Sequence, residues 1–429
     1  MNPVYIVDGL RTPFLKARNA PGPFTAADLA VHSGRSLLLR QPFAPDMLDE
    51  VIAGCVMPGP DEANIARVVA LRLGCGERVP AFTVQRNCAS GLQALDTGLR
   101  NIALGRSELV LAGGIEAMSH APVLWSHAMV AWLGGWMRAR SLGARARQLT
   151  RLRPAHLKPV IGLLRGLTDP VVGLSMGQTA EVLAHRFGIS REAMDAYALA
   201  SHQRLGAAYD AGHMDEVEPL YAPDGRCWCE DDGLRRDTSL EQLAGLKPVF
   251  DRPFGSVTAG NSAQVTDGAA WLVLASEAAV QRHGLSPRAR IVDSHWAGLD
   301  PGQMGLGPVH AMAPLLQRHA LGTNDIDHWE INEAFAAQVL ACLAAWQDAD
   351  YCRQELGLDK AFDPIPRERL NIDGGGVSLG HPVGASGARI VLHLLQVLER
   401  EQAWRGMASL CIGGGQGGAM LLERPEAQA

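Results

Sequence analysis

Short apolar runs alternate along the chain with longer stretches in which apolar positions recur at helical spacing. The first kind includes "ELVLAGG" (108–114) and "ASLCIGG" (408–414), and the second includes "LQALDTGLRNIALG" (92–105). Short continuous apolar runs are typical of strands buried on both faces, as in parallel sheets covered by helices. The pattern therefore predicts an α/β protein with parallel, two-sided buried sheets.

A weak internal repeat relates the two ends of the chain. The first copy is "CASGLQALDTGLRNIALGRSELVLAGGIEAM" (88–118), and the second is "GASGARIVLHLLQVLEREQAWRGMASLCIGGGQGGAM" (384–420). Each has small residues, then a helical pattern, an apolar strand and glycines. Cys88 stands where the second copy has Gly384. We therefore predict two similar α/β halves.

A basic segment interrupts the first half. Residues 117–168 contain no Asp or Glu, but include Trp125, Trp132, Trp136, Arg138, Arg140, Arg145, Arg147, Arg151, Arg153, Lys158 and Arg165. The segment has the character of an insertion. We divide the chain into residues 1–118, the first part of the N-terminal half; 119–250, an inserted loop domain; 251–275, completing that half; and 276–429, the C-terminal half.

Composition narrows the class of protein. The chain is 47% hydrophobic and 20% charged, which is typical of a soluble globular protein, and its 429 residues suffice for two or three packed units. Its formal net charge of −6 disfavours nucleic acid as a partner. No apolar run reaches the length of a membrane span, and the first residues read as a strand and turn rather than a cleavable signal. Eight irregularly spaced cysteines do not resemble a secreted disulfide framework, so we expect a cytoplasmic protein.

Metal binding is not predicted. The motif "RCWC" places Cys227 and Cys229 too close together for the usual zinc pair, and no second pair lies nearby in the sequence.

Cys88 is a candidate nucleophile. It precedes a helical pattern, and unpaired N–H groups at a helix N-terminus favour an anion. Because a free thiol is only about 3% ionised at pH 7, this placement is expected to add reactivity. A buried apolar cysteine is the alternative interpretation.

Three further stretches carry candidate chemistry. His381 lies in the glycine-rich "NIDGGGVSLGHPVGASGARIV" (371–391), which lacks the signatures of a P-loop or a dinucleotide site. Cys411 ends an apolar strand before a glycine run whose N–H groups can bind an oxyanion. Asn332 opens an apolar helical stretch, where helix capping is an equally good explanation.

These stretches together resemble one family. "NCASG", "AGGIEAMS", "MGQTAE", "VTAGNS", "TDGAA", "NEAF", "GHPVGASGAR" and "CIGGGQG" occur in the order found in thiolases and span nearly the whole chain. The resemblance implies two halves packed as αβαβα layers with an inserted loop domain. The insertion and the segment 346–370 look more like the β-subunit of the fatty-acid oxidation trifunctional complex than like short acetoacetyl-CoA thiolases.

The resemblance also implies a mechanism on 3-ketoacyl-CoA. Cys88 attacks the keto carbon and takes up the shortened acyl chain, while His381 accepts the thiol proton and helps hold the oxyanion beside a water positioned by Asn332. Cys411 acts as general acid and then as base towards CoA. The N–H groups of Cys88 and Gly413 form a second oxyanion site. CoA is a substrate, and no permanently bound cofactor is implied.

Two departures from the family pattern concern the substrate. Many thiolases have Ser or Thr, contacting the pantetheine, where this chain has Ala263, so Ser262 either substitutes or the contact is absent. Short-chain biosynthetic enzymes place a histidine before "MG", where this chain has Ser175. Met176 and Phe335 are interpreted as pocket residues, with ordinary core packing as the alternative.

The predicted function is 3-ketoacyl-CoA thiolysis in β-oxidation, with acetyl-CoA C-acetyltransferase as the alternative and a non-catalytic acyl-CoA carrier as a remote one. Three interpretations compete for the basic segment: a solvated face, binding of CoA phosphates, or docking of 120–168 to an anionic membrane or a hydratase/dehydrogenase α-subunit. A homodimer is the smallest assembly that the family implies.

Overall fold

The computed structural model describes residues 2–18 and 20–425. Its strands are β1 (Val4–Arg11), β2 (Leu15–Lys16), β3 (Glu50–Gly54), β4 (Ala81–Val84), β5 (Leu109–Ala117), β6 (Val123–Trp125), β7 (Pro159–Ile161), β8 (Leu220–Tyr221), β9 (Cys227–Trp228), β10 (Thr266–Ser276), β11 (Ala289–Gly298), β12 (His328–Ile331), β13 (Arg405–Ile412) and β14 (Gln416–Glu423). Its α-helices are α1 (Ala26–Leu39), α2 (Ile65–Arg72), α3 (Ser90–Ala103), α4 (His127–Arg138), α5 (Leu142–Leu149), α6 (Gly162–Gly166), α7 (Met176–Arg186), α8 (Arg191–Asp210), α9 (Leu240–Ala244), α10 (Glu277–His283), α11 (Gly307–Arg318), α12 (Ala336–Gln347), α13 (Ala349–Leu356), α14 (Gly376–Leu379) and α15 (Val383–Arg400).

Ten strands form one hydrogen-bonded sheet. Their order is β12-β13-β14-β11-β1-β10-β5-β3-β4, with β2 paired to β10. The C-terminal strands β12-β13-β14-β11 match the N-terminal strands β3-β5-β10-β1 in order and direction, and a short antiparallel pairing of β1 with β11 joins the two sets. The repeat seen in the sequence is thus a repeat of strand topology.

The prediction of parallel sheets is wrong for part of this sheet. Only the β3–β4, β3–β5 and β12–β13 pairs are parallel, while β10 and β14 run antiparallel to both of their main-sheet neighbours. For β14 the reason is visible after β13, where a glycine turn with Gly414 at φ +92° and Gly415 at φ +75° leads straight into β14. A turn this short permits only an antiparallel partner.

The predicted αβαβα layering is confirmed. One apolar core lies between α1, α2 and the N-terminal strands, a second surrounds α3 and α15, and a third lies between the C-terminal strands and α11, α12. Helices α3 and α15 therefore form the middle layer, and strand β10 is buried along its whole length.

Glycines let the two middle helices approach closely. A Cβ on Gly91 of α3 would lie 2.9 Å from the carbonyl oxygen of Gly384, and one on Gly387 of α15 would lie 2.5 Å from the backbone nitrogen of Leu92. The contact places the first turn of one helix against the first turn of the other. Cys88 and His381 each stand just before these turns.

Residues 121–168 form a separate compact unit. It contains α4, α5, α6 and the β6–β7 pair; Trp132 stacks on Trp136, and its indole N–H donates to the carbonyl of Gln148 at 2.8 Å. Many of its apolar side chains are exposed, with Met137 at 83% and Leu142 at 86%. The predicted boundaries 119 and 250 remain predictions. Within the described ranges, no helix is long and apolar enough to cross a bilayer.

Candidate active site

Cys88 lies in a tight turn between β4 and α3. Asn87 adopts the left-handed conformation (φ 44°), which asparagine tolerates better than most residues. The hydroxyl of Ser90 accepts from the N–H of Arg86 at 2.9 Å and donates to the carbonyl of Asn87 at 2.7 Å. Because α3 begins at Ser90, Cys88 stands at the helix N-terminus, as predicted.

The glycine turn after Cys411 meets the Cys88 turn. The side-chain amide of Asn87 donates to the carbonyl of Gly413 at 2.8 Å, and the N–H of Gly413 faces the sulfur of Cys88, where it acts to lower the pKa of that thiol. Cys88 in turn acts to raise the pKa of Cys411, so the two sulfurs lie within electrostatic range. Sequence-distant thiols from the two halves are therefore brought together.

Burial keeps both thiols protonated at rest. Burial raises the pKa of Cys88, and the carboxylate of Glu116 raises it further. The N–H groups of Gly413 and of Cys88 itself lower this pKa, but by less than burial raises it. The pKa of Cys411 is raised well above its usual value, chiefly by burial and then by Cys88. The helix N-terminus does not by itself make Cys88 a thiolate in the resting site, because desolvation outweighs the helix N–H groups. The added reactivity expected of Cys88 stays a prediction.

His381 is held as a neutral imidazole. Burial, and then the charge of Arg389, lowers its pKa to about 4. Its Nδ1 lies 2.6 Å from the hydroxyl of Ser386, which donates to the carbonyl of Pro382 at 3.0 Å, so Nδ1 carries the proton and donates to Ser386. Nε2 is buried without a hydrogen-bond partner in the described part of the chain. Its free lone pair suits a general base.

Asn332 presents a second unpartnered polar atom. Its Oδ1 accepts from Arg389 at 3.3 Å, and Arg389 is also paired with Glu330 at 3.1 Å. The amide Nδ2 is buried with no partner among the described residues. Helix capping does not explain Asn332, because α12 begins only at Ala336. A buried donor left free is costly unless a ligand or water satisfies it.

Glu116 ties the His381 segment to the other half. Its carboxylate accepts from the N–H groups of Val56, Met57 and Gly384 at 3.0–3.1 Å. Burial outweighs these bonds and raises its pKa to about 7. Because its charge also acts on Cys88, this carboxylate lies close to both helix N-termini of the site.

Apolar side chains surround Cys411. Met176 and Phe335 belong to its hydrophobic cluster, and the sulfur of Met176 lies 3.1 Å from where a Cβ on Gly413 would sit. Ser262 pairs through its backbone with Phe335, but its hydroxyl is buried and donates to the carbonyl of Thr258 at 2.6 Å. Its donor is therefore already used, and a role towards pantetheine stays a prediction.

Sequence reasoning missed the supporting residues Asn87, Glu116, Ser386 and Arg389. The detectable signal was Arg389, a charged residue inside an apolar helical pattern, where burial requires a paired charge. No group of three or more His, Cys, Asp or Glu within residues 2–18 and 20–425 is arranged to hold a metal ion.

Comparison with known proteins places this chain and its fold among acyl-transferring enzymes. Family models for the thiolase N-terminal and C-terminal domains match residues 4–278 and 285–424. The chain is 42% identical over 428 residues to the β-ketoadipyl-CoA thiolase of Pseudomonas aeruginosa, covering 98% of this chain and 99% of that protein. It is 36% identical over 424 residues to the mitochondrial trifunctional enzyme subunit beta of Mus musculus, covering 99% of this chain and 88% of that protein.

A solved structure agrees along the whole length. Human mitochondrial 3-ketoacyl-CoA thiolase in complex with CoA superposes with a TM-score of 0.83 at 37% identity, covering 99% of this chain and 98% of that one. The chain belongs to the thiolase family. It is accordingly an acyltransferase, with CoA as a substrate.

Proposed function

We propose that this thiolase cleaves 3-ketoacyl-CoA with CoA, releasing acetyl-CoA and a shortened acyl-CoA in fatty-acid β-oxidation. The observation that carries the proposal is the meeting of two protonated thiols, Cys88 and Cys411, from different halves of the fold. A carbon–carbon cleavage of this kind needs one sulfur as nucleophile and a second group as proton donor.

Acylation begins with proton transfer from Cys88 to Nε2 of His381. The pKa of His381 is lowered to about 4, so the imidazole is free to accept across the neutral range. The sulfur attacks the 3-keto carbon, the bond between C2 and C3 breaks, and the electron pair goes to C2. Cys411 gives its proton to that carbon, which leaves as acetyl-CoA, and the acyl group stays on Cys88.

Deacylation reverses the proton flow. The Cys411 thiolate takes the proton of an incoming CoA thiol, whose sulfur attacks the acyl carbonyl of Cys88. The N–H groups of Gly413 and Cys88 stabilise the oxyanion. The bond from the acyl carbon to the Cys88 sulfur then breaks, the shortened acyl-CoA leaves, and protonated His381 returns its proton to the Cys88 sulfur.

The free amide of Asn332 supports an oxyanion site for the CoA thioester carbonyl. Its Oδ1 accepts a hydrogen bond from Arg389, whereas its Nδ2 has no partner among the described residues. Nδ2 is therefore free to donate to a bridging water. Once protonated, His381 supplies the second donor. Both groups act as donors when negative charge develops, which is when stabilisation lowers the barrier.

The apolar surroundings of Cys411 favour an alkyl acyl chain. Phe335 and Met304 belong to the same cluster, and the partly buried Met176, Phe250 and Leu340 pack against it. Burial of each CH₂ in such a site contributes about 0.8 kcal/mol. We therefore propose medium or long chains as the preferred substrates, with acetyl-CoA C-acetyltransferase activity as the second candidate.

A thiolysis assay across substrates tests the proposal. The panel contains acetoacetyl-CoA, medium- and long-chain 3-ketoacyl-CoA, and 3-ketoadipyl-CoA, whose distal carboxylate corresponds to the name of the Pseudomonas aeruginosa relative. We expect kcat/KM to rise with alkyl length. Activity confined to acetoacetyl-CoA or to 3-ketoadipyl-CoA contradicts the proposal. Cys88→Ala should abolish acyl-enzyme formation, while Cys227→Ser, an exposed cysteine, is the matched control.

We also propose that the enzyme works in the cytoplasm as a homodimer or larger assembly, docked to an anionic membrane through 121–168. Exposed Trp125, Met137 and Leu142 among many arginines and no acidic residue support this. Flotation with phosphatidylserine vesicles at low salt should carry the protein, and Trp125→Ala with Met137→Ala should reduce it. Phe254→Ala, 92% exposed elsewhere in the chain, is the control.

Failure of flotation removes the membrane proposal. Binding of a hydratase/dehydrogenase α-subunit by the same residues is then the alternative, supported by the trifunctional-enzyme relative. Light scattering measures the mass of the assembly.

A further inference from the structure

A pair of exposed cysteines stands apart from the catalytic residues. Cys227 and Cys229 flank Trp228, and their sulfurs lie 3.4 Å apart, in contact but not bonded. Of the other cysteines, Cys88 is half-buried, and Cys55, Cys75, Cys342, Cys352 and Cys411 are buried.

The strand geometry explains why both sulfurs face solvent. Successive side chains along an extended strand point to opposite sides, so residues two apart share a face. Trp228 points inwards, packs against the N-terminal core and lies 6.0 Å from Phe24, ring centre to ring centre. The two cysteines are thereby left on the outer face.

The segment that carries the pair is anchored on both sides. The turn between β8 and β9 is closed by the N–H of Ala222 donating to the carbonyl of Arg226 at 2.9 Å. Two residues beyond Cys229, the buried carboxylate of Asp231 binds the guanidinium of Arg11 at 2.8 Å and the N–H of Phe14 at 2.7 Å. The sulfurs are therefore held near one another rather than meeting by chance in a free loop.

We propose that Cys227 and Cys229 form a reversible dithiol–disulfide site that reacts with low-molecular-weight disulfides such as oxidised glutathione. The thiolate of one cysteine attacks the glutathione disulfide, forming a mixed disulfide and releasing one glutathione thiolate. The second cysteine attacks the protein sulfur of that mixed disulfide and releases the second glutathione. The protein dithiol loses two electrons and two protons, and one glutathione disulfide becomes two glutathiones.

The placement favours reversibility over a structural role. A disulfide needs about 2 Å between sulfurs, so closure requires a small rearrangement of the short β8–β9 hairpin. Bridging residues separated by a single residue closes a small, exposed ring, and strained or exposed disulfides are readily reduced. A tetrahedral metal site needs further ligands, and no group of three or more such side chains lies together in the described ranges.

Peptide mapping of the full-length enzyme tests the site. The protein is incubated with glutathione disulfide, alkylated with N-ethylmaleimide, and analysed by mass spectrometry with the Cys227–Cys229 peptide separated from the Cys88 peptide. We expect the former peptide to lose both alkylation sites and two hydrogen atoms, and dithiothreitol to restore both sites. Cys227→Ser and Cys229→Ser should each stop at a persistent glutathione adduct.

Three results would overturn the proposal: full alkylation of both thiols after oxidation, a glutathione adduct that persists on the wild-type pair, or a bond from either sulfur to another cysteine. The readout follows sulfur chemistry on a surface hairpin and not substrate turnover. Its outcome is therefore independent of the proposed thiolysis activity.

Discussion

The side-chain amide of Asn87 donates a hydrogen bond to the carbonyl oxygen of Gly413, 2.8 Å away. This bond joins the turn before α3 to the turn between β13 and β14, which belong to different halves of the molecule. Asn87 precedes Cys88, and Gly413 follows Cys411 by two residues. One amide therefore helps to set the separation of the two thiols that we propose as catalytic.

Replacing Asn87 by glycine should slow acyl-enzyme formation by about tenfold to a hundredfold, because a small displacement of a reacting group carries a cost of this size. Glycine tolerates the left-handed backbone at this position, so the change removes the amide without adding strain. Single-turnover acylation with a 3-ketoacyl-CoA measures the effect. A wild-type acylation rate in Asn87→Gly would show that the thiol separation does not depend on this bond.

Cys88 should be a thiol, not a thiolate, at pH 7 in the free enzyme, because burial raises its pKa. The difference in absorbance at about 240 nm, where thiolates absorb, between wild type and Cys88→Ala should be near zero at pH 7 and grow only above the ordinary thiol pKa of about 8.5. The rate of iodoacetamide alkylation should rise over the same range. A titration complete below pH 7 would instead indicate a preformed thiolate–imidazolium pair.

Two similar α/β halves and the main chemical groups could be predicted from local patterns in the sequence, whereas the αβαβα layering was expected only from the resemblance to thiolases. The repeat around Gly91 and Gly387 predicts two equivalent halves, and the helical pattern after Cys88 predicts its place at a helix N-terminus. Strand direction was not recoverable in the same way. The run from Gly413 to Gly415 looked like a ligand-binding loop, and its backbone also makes the tight turn that reverses β14.

The residues that pair with buried charges could likewise not be predicted from the sequence. Glu116 and Arg389 gain their roles from residues far along the chain, Gly384 and Asn332 respectively. A pattern of apolar and polar positions reports which side chains are buried, but it does not report which distant groups satisfy them. The helix-capping alternative for Asn332 failed for a different reason, because α12 begins only at Ala336.

A buried ion cluster should make stability depend on pH. His393 lies 2.9 Å from Glu216 and 3.3 Å from Asp373. Burial disfavours the charged form of each group, but the attraction between opposite charges is stronger. It raises the pKa of His393 to about 10 and lowers the pKa values of Glu216 and Asp373 to about 2. A raised histidine pKa contributes stability that is present below pH 6.5 and lost as pH rises towards 10. The lowered carboxyl pKa values contribute stability that is lost as pH falls from about 4.5 towards 2.

His393→Gln should therefore cost about 3–5 kcal/mol of unfolding free energy near pH 6, the usual cost of breaking a buried ion pair. The difference from wild type should shrink as pH rises towards 10, because the wild-type histidine loses its charge there. Urea unfolding at several pH values measures it. Arg353→Ala removes an exposed ion pair with Asp350 and should leave stability unchanged. A difference that stays constant with pH would mean that His393 acts through packing alone.

The contact between α3 and α15 should tolerate no added methyl group. In Gly387→Ala, the new Cβ would lie 2.5 Å from the backbone nitrogen of Leu92, so the helices must move apart at a cost of about 1–3 kcal/mol. The same shift separates the segments bearing Cys88 and His381, so the rate of acylation should fall as well.

Gly134→Ala is the matched control, because a Cβ on that helical glycine of α4 would meet no described atom within 4 Å. This variant should be neutral or slightly stabilised. Urea unfolding and single-turnover acylation on both variants separate the outcomes: equal behaviour of the two alanine variants would contradict a close-packed middle layer, whereas a loss confined to Gly387→Ala ties the chemistry to the helix contact.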